Sequence, residues 1–105
     1  MSGRIRVIAE RLMSRGYEPR VARLMETVKA KVAAQPGVLS VETFIQVDDS
    51  HKYVVFSEWE SRKAYDRWIA SAEFHECTDQ INELLDVPGI HTRIFMTPQE
   101  NIFLL

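Results

Sequence analysis

The side chains that could bind a ligand or perform chemistry are concentrated in one segment, Ser57 to Gln80, with the sequence SEWESRKAYDRWIASAEFHECTDQ. This segment holds both tryptophans of the chain, its only cysteine and one of its three histidines. A neutral imidazole is available at His75 for proton abstraction or metal ligation, because histidine titrates at about pH 6.5. The question is whether this segment forms a packed core or the wall of a pocket.

Helical geometry separates these candidates by face. At about 100° per residue, one buried face is predicted to carry Phe74, Cys77, Ile81, Leu84 and Leu85. Cys77 then acts either as a small buried hydrophobe or as a thiolate. Thr78 lies at the edge of that face, where its hydroxyl can bond its own helix. His75 lies at the boundary with solvent, and it reaches a pocket only if a kink at Ser71 turns the segment.

A second candidate, Arg11, lies near the N-terminus. The apolar residues Ile5, Val7 and Ala9 alternate with charged ones, which predicts a half-buried strand on which Arg11 has the inward parity. A buried, unpaired guanidinium is costly. The side chain therefore either leaves the sheet edge for solvent or binds a carboxylate or an oxyanion.

The remaining patterns predict the elements that position these residues. A helix with the apolar spacing Val21, Leu24, Met25, Val28, Val32 ends at Pro36-Gly37. A hairpin follows, with strands at 38–47 and 53–59 around the turn Asp48-Asp49-Ser50. A helical arm over 61–85, capped by Ser61 and broken near Ser71, ends at Pro88-Gly89 before a last strand over 90–96.

This β-α-β-β-α-β order predicts a ferredoxin-like α+β domain: an antiparallel sheet with its helices on one face. The helices should cover a uniformly aliphatic face. The other face mixes charges with Phe44, Phe95 and either Phe56 or Tyr53. His91 has the parity of Phe95 and belongs to the same face. Burial against a second copy would explain these aromatics. We expect a domain over 1–98, and a tail over 99–105 that ends in Ile102-Phe103-Leu104-Leu105 and packs on the dimer.

Charge and composition narrow the partners. A net charge of −2 over 105 residues lacks the basic excess of a surface that binds nucleic acid or an anionic membrane. The N-terminus MSGRIRVIAER lacks the apolar block of a signal peptide, so we expect a cytoplasmic protein, with a processed organellar precursor as the alternative. The sequence contains no metal-ligand cluster, glycine-rich phosphate loop or nucleophile-base pair with the spacing of a known family.

Several motifs together resemble a known family. They are Pro36-Gly37 before a strand, Trp59-Glu60-Ser61 at the end of the next, then Ala64-Tyr65, Trp68, and Ser71 followed by Phe74. The combination resembles the antibiotic biosynthesis monooxygenase family of small dimeric α+β barrels, from the first strand to the last. The resemblance implies a homodimer whose sheets face each other and a pocket between each subunit's helices and sheet.

Trp68 is similar to the tryptophan of the haem-degrading branch of that family, where the ring ruffles a bound haem. That branch has a histidine iron ligand where this chain has Thr78 or Cys77, and a strand asparagine where this chain has Arg11. The resemblance therefore implies oxygen insertion into a planar aromatic ligand in a pocket that Phe74 helps to form. Haem is the leading ligand, Trp68 shapes it, and His75 acts as iron ligand or base; no other cofactor is expected.

Three alternatives stay open. One is a cofactor-independent quinol monooxygenase, in which an electron-rich substrate itself reduces oxygen. Another is a ligand-binding or stress-response module that keeps the dimeric barrel without chemistry. The third is a bare dimerisation domain.

Overall fold

A computed structural model describes residues 3–86 and 91–98 of the chain. Its elements, in chain order, are β1 (Ile5–Leu12), α1 (Glu18–Ala33), β2 (Val38–Gln46), β3 (Asp49–Trp59), α2 (Arg62–Ile69), α3 (Ala72–Asn82) and β4 (His91–Met96). The predicted order of strands and helices, including a divided second helical arm, is confirmed.

The sheet has the strand order β2-β3-β1-β4, and every neighbouring pair is antiparallel. Ile5 pairs with Trp59 on one side and with Met96 on the other, so the odd-numbered residues of β1 and β3 share one face. These residues are the buried ones in both strands. The ferredoxin-like α+β fold is therefore present, with one sheet face packed against the helices.

Each helix forms where its sequence favours it. Pro19 lies in the first turn of α1, where its missing N–H costs nothing. The apolar spacing then buries Val21, Met25, Val28 and Val32, as predicted.

The second helical arm is divided, and a serine caps the start of each part: Ser61 for α2, and Ser71, at the break, for α3. The hydroxyl of Ser61 accepts a bond from Ala64 N at 3.1 Å, and that of Ser71 accepts one from Phe74 N at 3.1 Å. The Ser71 hydroxyl also donates to the Trp68 carbonyl at 2.6 Å, which ties the new helix to the end of the old one. The change of direction brings α3 over the sheet beside α1.

Trp59 anchors the core where β3 ends. Its side chain is fully buried, and its Nε1 donates to the Ser57 hydroxyl at 2.9 Å, so its polar group is satisfied. Its ring meets that of Tyr65 edge to face, with centroids 5.7 Å apart. The end of β3 and the start of α2 are thereby held together.

The hairpin differs from its prediction in three ways. The turn lies at Val47-Asp48, and β3 already begins at Asp49, because pairing continues to Gln46 opposite Asp49. A register shift between Val38 and Ser40 turns Leu39 outward, so Leu39 leaves the aliphatic face. Ile45 and Val47 are also exposed, since they lie where the hairpin projects at the sheet edge.

Two further expectations about the sheet faces are corrected. The helix-side face is not covered throughout, because every residue of the edge strand β4 is exposed, including Ile94 and Met96. Tyr53 does not join the aromatics of the outer face. It has the parity of Val55 and lies in the core, whereas Phe56 faces outward beside Ile8.

The predicted stop at Pro88-Gly89, the first residue of the predicted last strand and the tail over 99–105 lie outside the described residues. No helix within the described ranges is both long and apolar enough to cross a membrane.

Gly37 is the backbone position on which the junction of α1, β2 and α2 depends. Its φ is +86°, its carbonyl accepts a bond from Glu60 N at 2.8 Å, and an added Cβ would lie 2.6 Å from the Ala64 Cβ. Gly16 has a similar φ of +88° with nothing within 4 Å of such a Cβ.

We predict that Gly37→Ala destabilises the protein more than Gly16→Ala. The positive φ costs each variant about 1–2 kcal/mol, and the clash with Ala64 adds roughly 1–3 kcal/mol at Gly37 alone. Urea unfolding of both variants measures the difference. Equal losses would show that the junction gives way freely at Gly37.

Candidate functional site

A cavity of about 130 Å³ lies between the helices and the sheet. Its floor comes from β1, β3 and β4, and its other walls come from all three helices. The floor carries two small inward side chains, Ala9 on β1 and Ser57 on β3, where larger residues would fill the space. The sequence thus leaves room at the centre of the sheet.

Most of the wall is apolar. The aliphatic lining consists of Val7, Val28, Val32, Val55 and Ile81. Trp68 and Phe74 add two aromatic rings that meet edge to face, with centroids 5.5 Å apart. Trp68 is buried, and Ser71 lies between the two residues in sequence. The Ser71 hydroxyl bonds the backbone of both residues, so it links the two parts of the wall that carry these rings.

Arg11 is the main polar group of the cavity. Its residue is only 8% exposed, and its Nε and Nη1 atoms are buried without a hydrogen-bond partner among the described residues. Burial lowers the pKa of the guanidinium from its ordinary value, while the nearby Tyr65 and Cys77 partly oppose this change. Arginine nevertheless stays protonated in proteins, so the cavity wall carries a positive charge.

Tyr65 and Cys77 are the other titratable groups on the wall. Burial is the main cause that raises the pKa of the Tyr65 hydroxyl above 10.0 and that of the Cys77 thiol above 9.0. Both groups are therefore neutral near pH 7. The cysteine behaves there as a buried, protonated thiol.

Two threonines complete the polar lining. The Thr78 hydroxyl oxygen is buried and has no hydrogen-bond partner in the described part of the chain, so the bond to its own helix that we had expected is absent. Thr92 lines the cavity from the exposed strand β4, which means that the cavity reaches the surface there.

His75 lies on the solvent side of α3. Its Nδ1 is 2.7 Å from the Ser71 carbonyl oxygen, its ring meets that of Phe74 from the side, and it does not line the cavity. His91 is also exposed, on β4 opposite Glu10 and away from the helices. The kink at Ser71 therefore does not bring His75 to the ligand site.

The cavity brings together five of the six residues predicted for the site: Arg11, Trp68, Phe74, Cys77 and Thr78. Tyr65 and Ser57 also line the cavity, and neither is among the predicted site residues. The signal for Ser57 was its inward parity on β3, where a small polar residue interrupts Val55 and Trp59. No group of three or more His, Cys, Asp or Glu side chains in residues 3–86 and 91–98 is arranged to hold a metal ion.

Comparison with protein families identifies the domain. The model of the antibiotic biosynthesis monooxygenase family matches residues 4–80, which is most of the chain. The chain belongs to this family.

Solved structures of other proteins share this fold, and the matches cover nearly the whole chain. A conserved protein from Methanosarcina mazei is 18% identical with a TM-score of 0.83, covering 92% of this chain and 95% of its own. A protein from Mycobacterium tuberculosis is 22% identical with a TM-score of 0.80, and the match covers 92% of this chain and 97% of that one.

A third solved structure is a mutant of SnoaB, a cofactor-independent oxygenase from Streptomyces nogalater. It is 17% identical with a TM-score of 0.79, and the match covers 93% of this chain and 96% of that one. At such identities the likeness establishes the fold. No curated protein sequence matches the chain.

Proposed function

We propose that this member of the monooxygenase family is a small oxygenase that binds one planar, electron-rich aromatic ring in the cavity and inserts oxygen into it without a resident cofactor. The observation that carries the proposal is the cavity itself: a mainly apolar space walled by the crossed rings of Trp68 and Phe74. Family membership supports the reaction class, and SnoaB is an example of cofactor-independent oxygenation on this fold.

The size of the cavity limits the ligand. About 130 Å³ is close to the roughly 150 Å³ of an engineered apolar cavity that takes benzene. It is smaller than the roughly 300–1,000 Å³ of sites for drug-sized molecules. The best match is therefore a ligand with a single aromatic ring.

A quinol is the substrate class that suits a cavity of this composition. It supplies all the electrons that reduce oxygen: one oxygen atom enters the ring, the other leaves as water, and the quinol becomes a hydroxyquinone. The protein has to hold the ring, exclude bulk water and favour the reactive form of the substrate. Trp68 and Phe74 serve the first two tasks.

Haem, expected from Trp68, does not fit this site. The cavity is of single-ring size, and a porphyrin is a macrocycle of several rings. His75 points to solvent, and the residues at the predicted iron-ligand position are a hydroxyl, Thr78, and a protonated thiol, Cys77. We therefore assign haem no step in the mechanism.

A second candidate function is ligand binding without catalysis. One observation favours it: among residues 3–86 and 91–98, no carboxylate and no imidazole that could remove a proton from a substrate lines the cavity. The protein would then be a binding or stress-response module on the same fold.

We further propose a homodimer through the open face of the sheet. Phe44 on β2 is 51% exposed and Phe95 on β4 is 46% exposed. The half-buried Ile8 and Phe56 lie on the same face, on the two strands between them. Surface ion pairs lie around them, such as Arg93 with Glu10 at 2.9 Å. A self-complementary dimer would bury the aromatics while keeping these charges paired.

We predict that the protein consumes oxygen in the presence of a small quinol, and that Trp68→Leu lowers this rate by about tenfold, the effect of roughly 1.4 kcal/mol. Leucine keeps apolar bulk but removes the flat surface that orients the ring. An oxygen electrode with a chelator present measures the rate, and Trp68→Phe should retain more of it.

His75→Ala is the control, since His75 lies outside the cavity, and its rate should match the wild type. The same proteins titrated with haemin should show no saturable Soret shift. A shift that His75→Ala weakens would contradict the site as described. Ring binding without any oxygen uptake would favour the non-catalytic candidate.

For the dimer, we predict that the double variant Phe44→Glu, Phe95→Glu sediments as a monomer whereas the wild type sediments as a dimer. Like charges brought together in a desolvated interface oppose association. Tyr17→Glu alters an equally exposed aromatic, 52% exposed at the start of α1, and should leave the dimer intact. A monomeric wild type would refute this interface.

A further inference from the structure

Arg11 is the only buried charged residue in the described parts of the chain. Every ion pair found between those residues uses a different cation and lies nearer the surface. Arg11 instead lines a cavity of about 130 Å³, and two of its guanidinium nitrogens are buried without a partner. A positive charge held in this way lacks its counter-charge within the described fold.

We infer that the cavity binds a small ring-shaped organic anion, whose carboxylate or phenolate group contacts Arg11 and whose ring lies against Trp68 and Phe74. The inference rests on the proposed function for the location of the ligand. The inference specifies in addition that the ligand is an anion and that its charged group lies at Arg11.

The unmade hydrogen bonds support an anion over a neutral ligand. Hydrogen bonds between a guanidinium and a carboxylate or phenolate are charge-assisted and about twice as strong as neutral ones. In a low-dielectric cavity the difference grows, because solvent screens the pair less. A neutral ring of the same size would leave the charge of Arg11 without compensation.

The other charges near the cavity do not replace the ligand. Tyr65 on α2 and Cys77 on α3 are neutral near pH 7, and Tyr53, opposite Arg11 on β3, is an aromatic of the core. The pKa of the Cys77 thiol is also affected by the charges of Lys31 on α1 and of the exposed Glu73 and Glu76 on α3. These three residues do not line the cavity. The net charge on the wall is therefore that of Arg11.

The same setting bears on catalysis. The described part of the wall offers no carboxylate or imidazole to take a proton from a phenol. An acidic ligand can instead lose that proton to water and bind as its conjugate base, which Arg11 stabilises. A phenolate is also more electron-rich than its phenol, as the proposed oxygenation requires.

The first test compares the affinities of the wild-type protein for two probes of nearly equal size, benzoate and benzamide. Calorimetric titration measures both. We expect benzoate to bind at least about tenfold more tightly, as a charge-assisted pair allows. Equal affinities, or no binding of benzoate, would overturn the inference.

A second probe, 4-nitrophenol, reports its own ionisation by the absorbance of the yellow phenolate. At a pH below its solution pKa, adding protein should increase this absorbance, because the Arg11 charge lowers the pKa of the bound phenol by about one unit or more. An unchanged absorbance with bound nitrophenol would exclude a phenolate at Arg11. Benzoate binding would then identify the carboxylate as the ligand group.

Variants assign the effect to Arg11. Arg11→Met should abolish the preference for benzoate, and Arg11→Lys should retain part of it. Arg23→Met removes an exposed charge of α1 as the control and should leave binding unchanged. Benzoate affinity that persists in a folded Arg11→Met protein would overturn the inference.

Failure of the proposed function is distinguishable. If benzoate binds through Arg11 but no quinol drives oxygen uptake, the anion site stands and the oxygenase falls. If a quinol is oxidised at the same rate in the wild type and in Arg11→Met, and benzoate also binds both equally, the oxygenase stands and the anion site falls.

Discussion

The buried charge of Arg11 is the constraint around which this small domain is arranged. A guanidinium removed from water without a partner costs free energy, and a domain of this size has a limited core to offset it. The fold places the charge on an inward strand position beneath α2 and α3, which between them supply Tyr65, Trp68 and Cys77 to the cavity. The result is a cavity with one positive group in a mainly apolar lining.

Two local features make this arrangement possible. Small side chains at Ala9 and Ser57 leave space at the centre of the sheet, and the cap at Ser71 divides the second helical arm. Without the division, one straight helix would continue along the axis of α2. With it, α3 starts anew after Ser71 and places Phe74 against the ring of Trp68 in the cavity wall.

Much of this architecture could be predicted from the sequence, because it rests on local signals. Alternation in β1 predicted the inward position of Arg11, Ser61 predicted the start of the second helical arm, and Ser71 predicted its break. The turn of the hairpin and the outward side chain of Leu39 could not be predicted, since they depend on pairing with β3 and on a register shift. The exposure of β4 depends on where the helices lie, which no strand pattern specifies.

The site shows the same division. Helical spacing predicted that Cys77 faces the core and that His75 lies near the boundary with solvent. The family resemblance predicted that Trp68 contacts the ligand. The size of the cavity, which separates a single ring from haem, follows from how three helices and three strands meet at Ala9 and Ser57. Such a volume is a property of tertiary packing, so no local pattern contains it.

The most direct measurement is the free energy of unfolding of Arg11→Met against the wild type in ligand-free buffer. If the charge is held for a ligand, methionine removes a desolvation cost at similar volume. Stability should then stay equal or rise by about 1–4 kcal/mol. A loss of about 3–5 kcal/mol, the cost of breaking a buried ion pair, would show that Arg11 already has a partner within the folded protein and would contradict this account.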